Sequence, residues 1–211
     1  FLMENRKLNN KKSKILAIGD LHGNTRLVRK LVEKAKKENV DLVILAGDIV
    51  LSEDNVTGIV GPFTEAKKQV LLIPGNHESI ATIDFLAEMY DKAENIHGYS
   101  FVKGDLGIFG AGGGDIGENV VSDSDIFYLL KKGYERVKGL KKKIMVTHMH
   151  PEGSKSEFSG FPGSKAVRKA VKYFQPDILI NAHIHEAGGI EEKIGKTRVI
   201  NVSEKEKVFE I

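Results

Sequence analysis

Five short apolar runs in this chain are each followed at once by side chains that can hold a metal ion. Ile15–Ile18 leads into Asp20 and His22, Val43–Ala46 into Asp48, and Val70–Ile73 into Asn76 and His77. Ile144–Val146 leads into His148, and Ile178–Ile180 into His183 and His185. Two Asp, one Asn and four His of this set offer oxygen and imidazole nitrogen and no sulfur. Such a donor set suits first-row divalent metals: Mn, Fe, Co, Ni or Zn. Seven ligands are too many for one tetrahedral ion. A bridging carboxylate divides them between two ions ~3.5–4 Å apart, a spacing used in phosphoryl chemistry.

Each piece alone has an ordinary explanation. Asp20-Leu21-His22 reads as a helix cap and a surface histidine, Gly47-Asp48 and Pro74-Gly75-Asn76 as turns, and His183 and His185 as buried strand residues. The set as a whole does not. Five of the seven histidines belong to it, and every member follows a strand-like run.

The elements that must position these residues are legible in the apolar spacing. Ile15–Ile18, Leu42–Ala46 and Val70–Ile73 predict buried strands. Leu27, Val28, Leu31, Val32 and Ala35 predict a helix, and Ala166, Val167, Ala170, Val171 and Phe174 a second one opened by Pro162 and Ser164. Tyr99–Val102 and Leu106–Gly110 predict a hairpin. Ile190–Ile194, Thr197–Val202 and Lys207–Ile211 predict a terminal antiparallel meander. Continuous β-branched runs alternating with helices imply a sheet covered on both faces, hence a layered α/β domain of one mixed sheet or two packed sheets. In open α/β sheets ligands bind beyond the carboxyl ends of the strands, so residues far apart in sequence converge at one edge.

Composition narrows the field. The chain has 211 residues, 41% hydrophobic and 29% charged, as expected of a globular protein. With no cysteine there is no disulfide, thiolate metal site or cysteine nucleophile, and a reducing compartment is expected. The net charge of +3 comes from the N-terminal stretch, which holds Arg6, Lys7, Lys11, Lys12 and Lys14 against Glu4. The rest is near neutral, so nucleic acid is not an expected partner by charge count. No apolar run approaches the ~20 residues of a membrane helix, and Phe1–Lys14 lacks the apolar core of a signal peptide. These points predict a cytoplasmic protein without membrane contact, with a basic tail over 1–13 and one domain over 14–211.

The ordered motifs resemble those of the calcineurin-like metallophosphoesterases: Asp20-Leu21-His22, Gly47-Asp48, Gly75-Asn76-His77-Glu78, His148, then His183-Ile184-His185. The likeness spans about 14–186 and departs at Ala182, where the family usually has Gly. Either histidine of Thr147-His148-Met149-His150 fits the lone-histidine motif. His148 directly follows the strand and is preferred, with His150 kept as a support or substrate contact.

The resemblance implies a four-layer αββα sandwich of two mixed sheets flanked by helices, with two divalent ions. Asp20, His22, Asp48 and His185 would hold one ion, and Asp48, Asn76, His148 and His183 the other, with Asp48 bridging. Asp48, Asn76 and His77 would serve catalysis, His77 as acid or charge stabiliser at the leaving oxygen, oriented by Glu78. The implied activity is hydrolysis of a small phosphate ester. Protein Ser/Thr phosphatases are the nearest alternative, but they carry Arg in their second motif and just before Gly-Asn-His-Glu. Here the matching stretches are Asp48-Ile49-Val50-Leu51-Ser52-Glu53 and Ile73-Pro74-Gly75, without Arg. A phosphomonoester dianion calls for such planar cations, so diesters or small organic phosphates are expected. A nuclease and a protein-binding scaffold are the remaining, weaker readings.

Three further stretches invite an assignment. Gly112-Gly113-Gly114, with Asp115 and Asn119, reads as a permissive turn in preference to a loop approaching phosphate. Phe158 and Phe161 would stack on an organic group or pack on the neighbouring helix. His97 has no partner motif and reads as ordinary.

Overall fold

Strands and helices alternate through most of the chain, and the parity of each strand decides which layer its side chains enter. The computed structural model describes residues 12–51 and 56–211; most of the basic tail, and Ser52 and Glu53, lie outside them. The first half holds β1 (Lys14–Ile18), α1 (Thr25–Lys37), β2 (Leu42–Ala46), α2 (Gly61–Glu65), β3 (Gln69–Ile73), α3 (Ile80–Met89) and β4 (Ala93–Asn95). The second holds β5 (Ser100–Lys103), β6 (Leu106–Ala111), α4 (Asp123–Glu135), β7 (Lys142–Thr147), α5 (Lys165–Phe174), β8 (Ile178–Asn181), β9 (Glu191–Ile194), β10 (Thr197–Asn201) and β11 (Lys207–Glu210).

The strands form two mixed sheets, ordered β11-β1-β2-β3-β4 and β5-β6-β7-β8-β10-β9. Inward residues meet between the sheets: Ile15, Ala17, Leu42, Ile44, Leu71 and Ile73 from the first, Ile108, Ile144, Val146, Ile178, Ile180 and Ile200 from the second. The alternate residues face helices. Leu16, Ile18, Val43, Leu45, Val70 and Leu72 pack with Val28, Leu31, Phe63 and Ile83 of α1, α2 and α3. Phe109, Met145, Leu179 and Val199 pack with Leu130, Val167, Val171 and Phe174 of α4 and α5. Because side chains alternate across a strand, each apolar run fills two layers at once. The result is the expected four-layer arrangement of two mixed sheets flanked by helices.

Local chemistry sets the helix starts. The Asn24 side chain accepts from the Leu27 N–H at 2.9 Å and starts α1. The Ser164 hydroxyl accepts from the Val167 N–H at 3.2 Å and starts α5. No helix among the described residues is long and apolar enough to cross a membrane.

The hairpin β5–β6 forms as expected, with Phe101 opposite Ile108. The terminal meander does not. β9 and β10 pair antiparallel, but β11 leaves them and pairs antiparallel with β1, Leu16 opposite Val208. Phe209 is thereby buried between the sheets beside the inward face of β1. The last strand thus ties the two sheets together, a pairing that a run of alternating residues cannot reveal by itself.

Candidate metal centre

β1, β2, β3, β7 and β8 all end at the same edge, and the loops that follow them bring the expected residues together. His148 Nε2 lies 3.3 Å from Asp48 Oδ2 and 3.1 Å from Asn76 Oδ1. His185 Nε2 lies 3.2 Å from His22 Nε2 and 3.8 Å from Asp20 Oδ1. His77 Nε2 is 3.9 Å from Asp48 Oδ2. Three groups of donor atoms result, each within 4.8 Å of one another: Asp20–His22–His185, Asp48–His148–His183, and His22–Asp48–His77.

The backbone bends sharply to achieve this. Asp20, His22, Asp48 and His183 all have positive φ, between 44° and 71°. Non-glycine residues rarely sit there, and such strain gathers at functional sites. Four of the eight non-glycine residues with positive φ among the described residues belong to this cluster. Glycines make the close packing possible: a Cβ on Gly47 would meet the His148 ring, and Gly47 itself sits at φ +88°.

The donors fit divalent cations. Asp20 Oδ1 is buried without a hydrogen-bond partner, as is His22 Nδ1. A buried carboxylate oxygen left without a partner is costly unless a cation meets it. Two donors on one ion at ~2.1 Å stand about 3.0 Å apart at a right angle and about 3.4 Å apart in a tetrahedron. The His22–His185 and Asp48–His148 separations of 3.2 and 3.3 Å match that spacing.

Burial pushes the Asp48 carboxyl up, but His148, the His77 N–H at 3.0 Å and the His77 ring pull it well below the usual carboxylate range. Burial works against a charged His148, yet Asp48 raises its pKa to about 9. Burial lowers His183 to about 4.

Glu78 departs from its expected role. It is fully buried, and its Oε1 accepts from the backbone N–H of Ile49 at 3.2 Å and of Gly75 at 3.1 Å. It therefore braces the loops after β2 and β3; none of its hydrogen bonds goes to the His77 ring. Burial and the nearby Asp48 charge push its carboxyl up to about 7. His150 is also fully buried and belongs to none of the three donor groups found among the described residues, whereas His148 belongs to one.

The glycine-rich segment is more than a permissive turn. The Gly113 N–H donates to Pro74 O at 3.0 Å, those of Glu118 and Asn119 donate to Asn76 O at 3.0 and 3.2 Å, and Asn119 Nδ2 donates to Gly75 O at 2.9 Å. A Cβ at Gly112, Gly114 or Gly117 would run into Pro74 or Asn76. The segment clamps the turn that presents Asn76. His97 anchors it in turn, since Nδ1 accepts from the Gly112 N–H at 2.9 Å. Phe158 and Phe161 are exposed, so neither is packed away against the neighbouring helix.

Three residues around the donors had no motif to announce them. Ser203 donates to Asp20 Oδ2, which also accepts from the His183 N–H at 3.0 Å. Asp115 faces His183, and Glu204 faces His185. The glycine run was the one sequence signal near any of them.

A family model for calcineurin-like phosphoesterases matches residues 13–187, and the chain belongs to that family. No curated protein matches the sequence significantly. Among solved structures, TT1561 of Thermus thermophilus superposes with a TM-score of 0.75 at 19% identity, over 94% of this chain and 99% of that one. A dimetal phosphatase from Danio rerio gives 0.62 at 13% identity, over 90% and 87%. A novel archaeal phosphodiesterase gives 0.54 at 18% identity, over 94% and 98%. At these identities the likeness shows the shared fold.

Proposed function

We propose that this chain hydrolyses phosphate esters with two divalent ions, of Mn, Fe, Co, Ni or Zn, and favours diesters or small organic phosphates. The observation that carries the reading is the placing of two donor groups, Asp20–His22–His185 and Asp48–His148–His183, with Asp48 also within reach of His22. Asp20, His22, Asp48 and His185 would hold one ion, and Asp48, Asn76, His148 and His183 the other. Bound there, two cations would acidify a water and offset charge developing at phosphorus.

The chain's own groups do the rest. Asp48 belongs to the second donor group and lies within reach of His22 of the first, which suits it to be shared between the two ions. Asn76, clamped from behind by Asn119 and Glu118, presents its amide beside His148. His77 is one of two half-exposed rings of the cluster, its side chain 46% accessible against 44% for His185, and its backbone N–H donates to Asp48 Oδ1 at 3.0 Å. Fixed by that bond at the open face, it can give a proton to the leaving oxygen.

Exposed Leu51 lies on the loop after Asp48. The stretches Asp48–Leu51 and Ile73–Gly75 carry no Arg to pair with a phosphate dianion, which supports the diester preference. A comparison of kcat/KM for an aryl phosphodiester, the matching monoester and a phosphoserine peptide at saturating Mn tests this reading. We expect the diester to lead. Preference for the peptide would place the protein with the phosphomonoesterases, and no turnover of any of the three would refute the hydrolytic reading.

A further inference from the structure

His148 and His185 each divide their two ring nitrogens between an inner and an outer partner. His148 donates from Nδ1 to Ala46 O at 2.9 Å, so its Nε2 is the atom turned to Asp48 and Asn76. His185 turns Nε2 to His22 and Asp20, and its Nδ1 lies 3.5 Å from Glu204 Oε1. His183 has Nε2 3.5 Å from Asp115 Oδ1, so by the same division Nδ1 is left for the cluster. Neither Asp115 nor Glu204 belongs to any of the three donor groups.

We infer that Asp115 and Glu204 are positioning residues, one for each ion: each carboxylate holds the proton on the outer nitrogen of its histidine and so fixes which nitrogen binds metal. This rests on the two-metal reading above and assigns ligand atoms within it. A carboxylate on one imidazole nitrogen selects the tautomer, orients the ring and makes the other nitrogen a better donor. At 3.5 Å each pair is about 0.5 Å longer than a hydrogen bond, so the inference requires a small rotation of each half-exposed carboxylate.

The chain holds both carboxylates in place by backbone means. Asp115 sits in the segment clamped to Asn76, between Gly114 and Gly117, at each of which an added Cβ would run into Asn76. Glu204 sits at φ 51° and donates its N–H to Gly19 O at 3.1 Å, immediately after Ser203, which bonds Asp20. The two carboxylates therefore arrive from different elements, yet each is tied to the loop that carries a donor of its own ion: Asn76 for Asp115, Asp20 for Glu204. His183 and His185 are two residues apart, but the structure assigns them opposite tautomers, Nε2–H for the first and Nδ1–H for the second.

The test uses the full chain loaded with zinc alone. Long-range proton–nitrogen spectra of the histidine rings should show a protonated Nε2 on His183 and a protonated Nδ1 on His185. Zinc titration calorimetry should show Asp115→Ala weakening one of two ions by roughly 10–100-fold and leaving the other at parental affinity. Glu204→Ala should weaken the other ion by a similar factor. Asp115→Asn and Glu204→Gln, which keep an oxygen acceptor, should recover most of the loss; a merely structural role would not separate the ions in this way. Zinc on Nε2 of His183, or parental affinity for both ions in both alanine variants, would overturn the assignment. No readout uses a substrate, so a chain that binds two ions in this pattern and hydrolyses nothing would refute the proposed activity and leave the positioning roles standing.

Discussion

Gly75 lies directly against Asp48: a methyl group on Gly75 would occupy the space of Asp48 Oδ1 and its backbone nitrogen. The glycine is required by close approach and not by its own conformation, since its φ is not positive. Glu78 Oε1 fixes the approach by accepting from both Ile49 and Gly75.

Gly75→Ala must therefore displace the proposed bridging carboxylate. We expect zinc content and turnover to fall together, with a loss of roughly 1–3 kcal/mol in stability, the usual range for overpacking. Metal analysis and thermal melting check this, and a variant that keeps two ions per chain would contradict it.

His77 is expected to act on the leaving group. His77→Ala should keep its metal and lose ~10²–10⁴ in turnover, the range of a positioned acid or base. The loss should shrink as the leaving group of an aryl ester becomes a better one, because less protonation is needed. Inactivity caused by metal loss would assign His77 to an ion instead.

His97 gives the fold an acid-sensitive anchor. Burial lowers its pKa to about 4 against an ordinary 6.5; Asp84 opposes that shift and Lys132 adds to it. Its Nδ1 must stay unprotonated to accept from Gly112. The unfolded chain takes up this proton below about pH 6.5 and the folded one does not, so this contribution to stability is full above that pH. It declines as pH falls toward 4 and then levels off. Chemical unfolding at pH 7 and pH 4.5 should show that His97→Gln, which keeps an acceptor, removes about 2 kcal/mol of the parent's acid loss. Equal acid loss in both proteins would contradict the role.

The gathering of the cluster residues was legible because each directly follows an apolar run, and strand ends share one edge of a sheet. Both helices marked by their spacing appear, and so does the hairpin before Gly110. What stayed hidden depends on distant pairing. Nothing in Lys207–Ile211 says that this strand will join β1 and not β10. Glu78 adjoins His77 in sequence, yet burial turns it toward two backbone N–H groups. Asp115, Ser203 and Glu204 lie on loops without a motif, and only the folded chain sets them beside His183, Asp20 and His185. The glycines of 112–117 were visible, but a permissive turn and a close-packed clamp look alike in sequence; Asn76 decides between them.

Counting bound ions in Asp48→Ala tests most directly whether Asp48 joins two metal sites. Elemental analysis of the parent, loaded with Mn or Zn and freed of excess, should give two ions per chain. Asp48→Ala should hold fewer than any variant lacking one other donor, such as His22→Ala or His183→Ala, and should be inactive. Two full equivalents in Asp48→Ala would contradict the account.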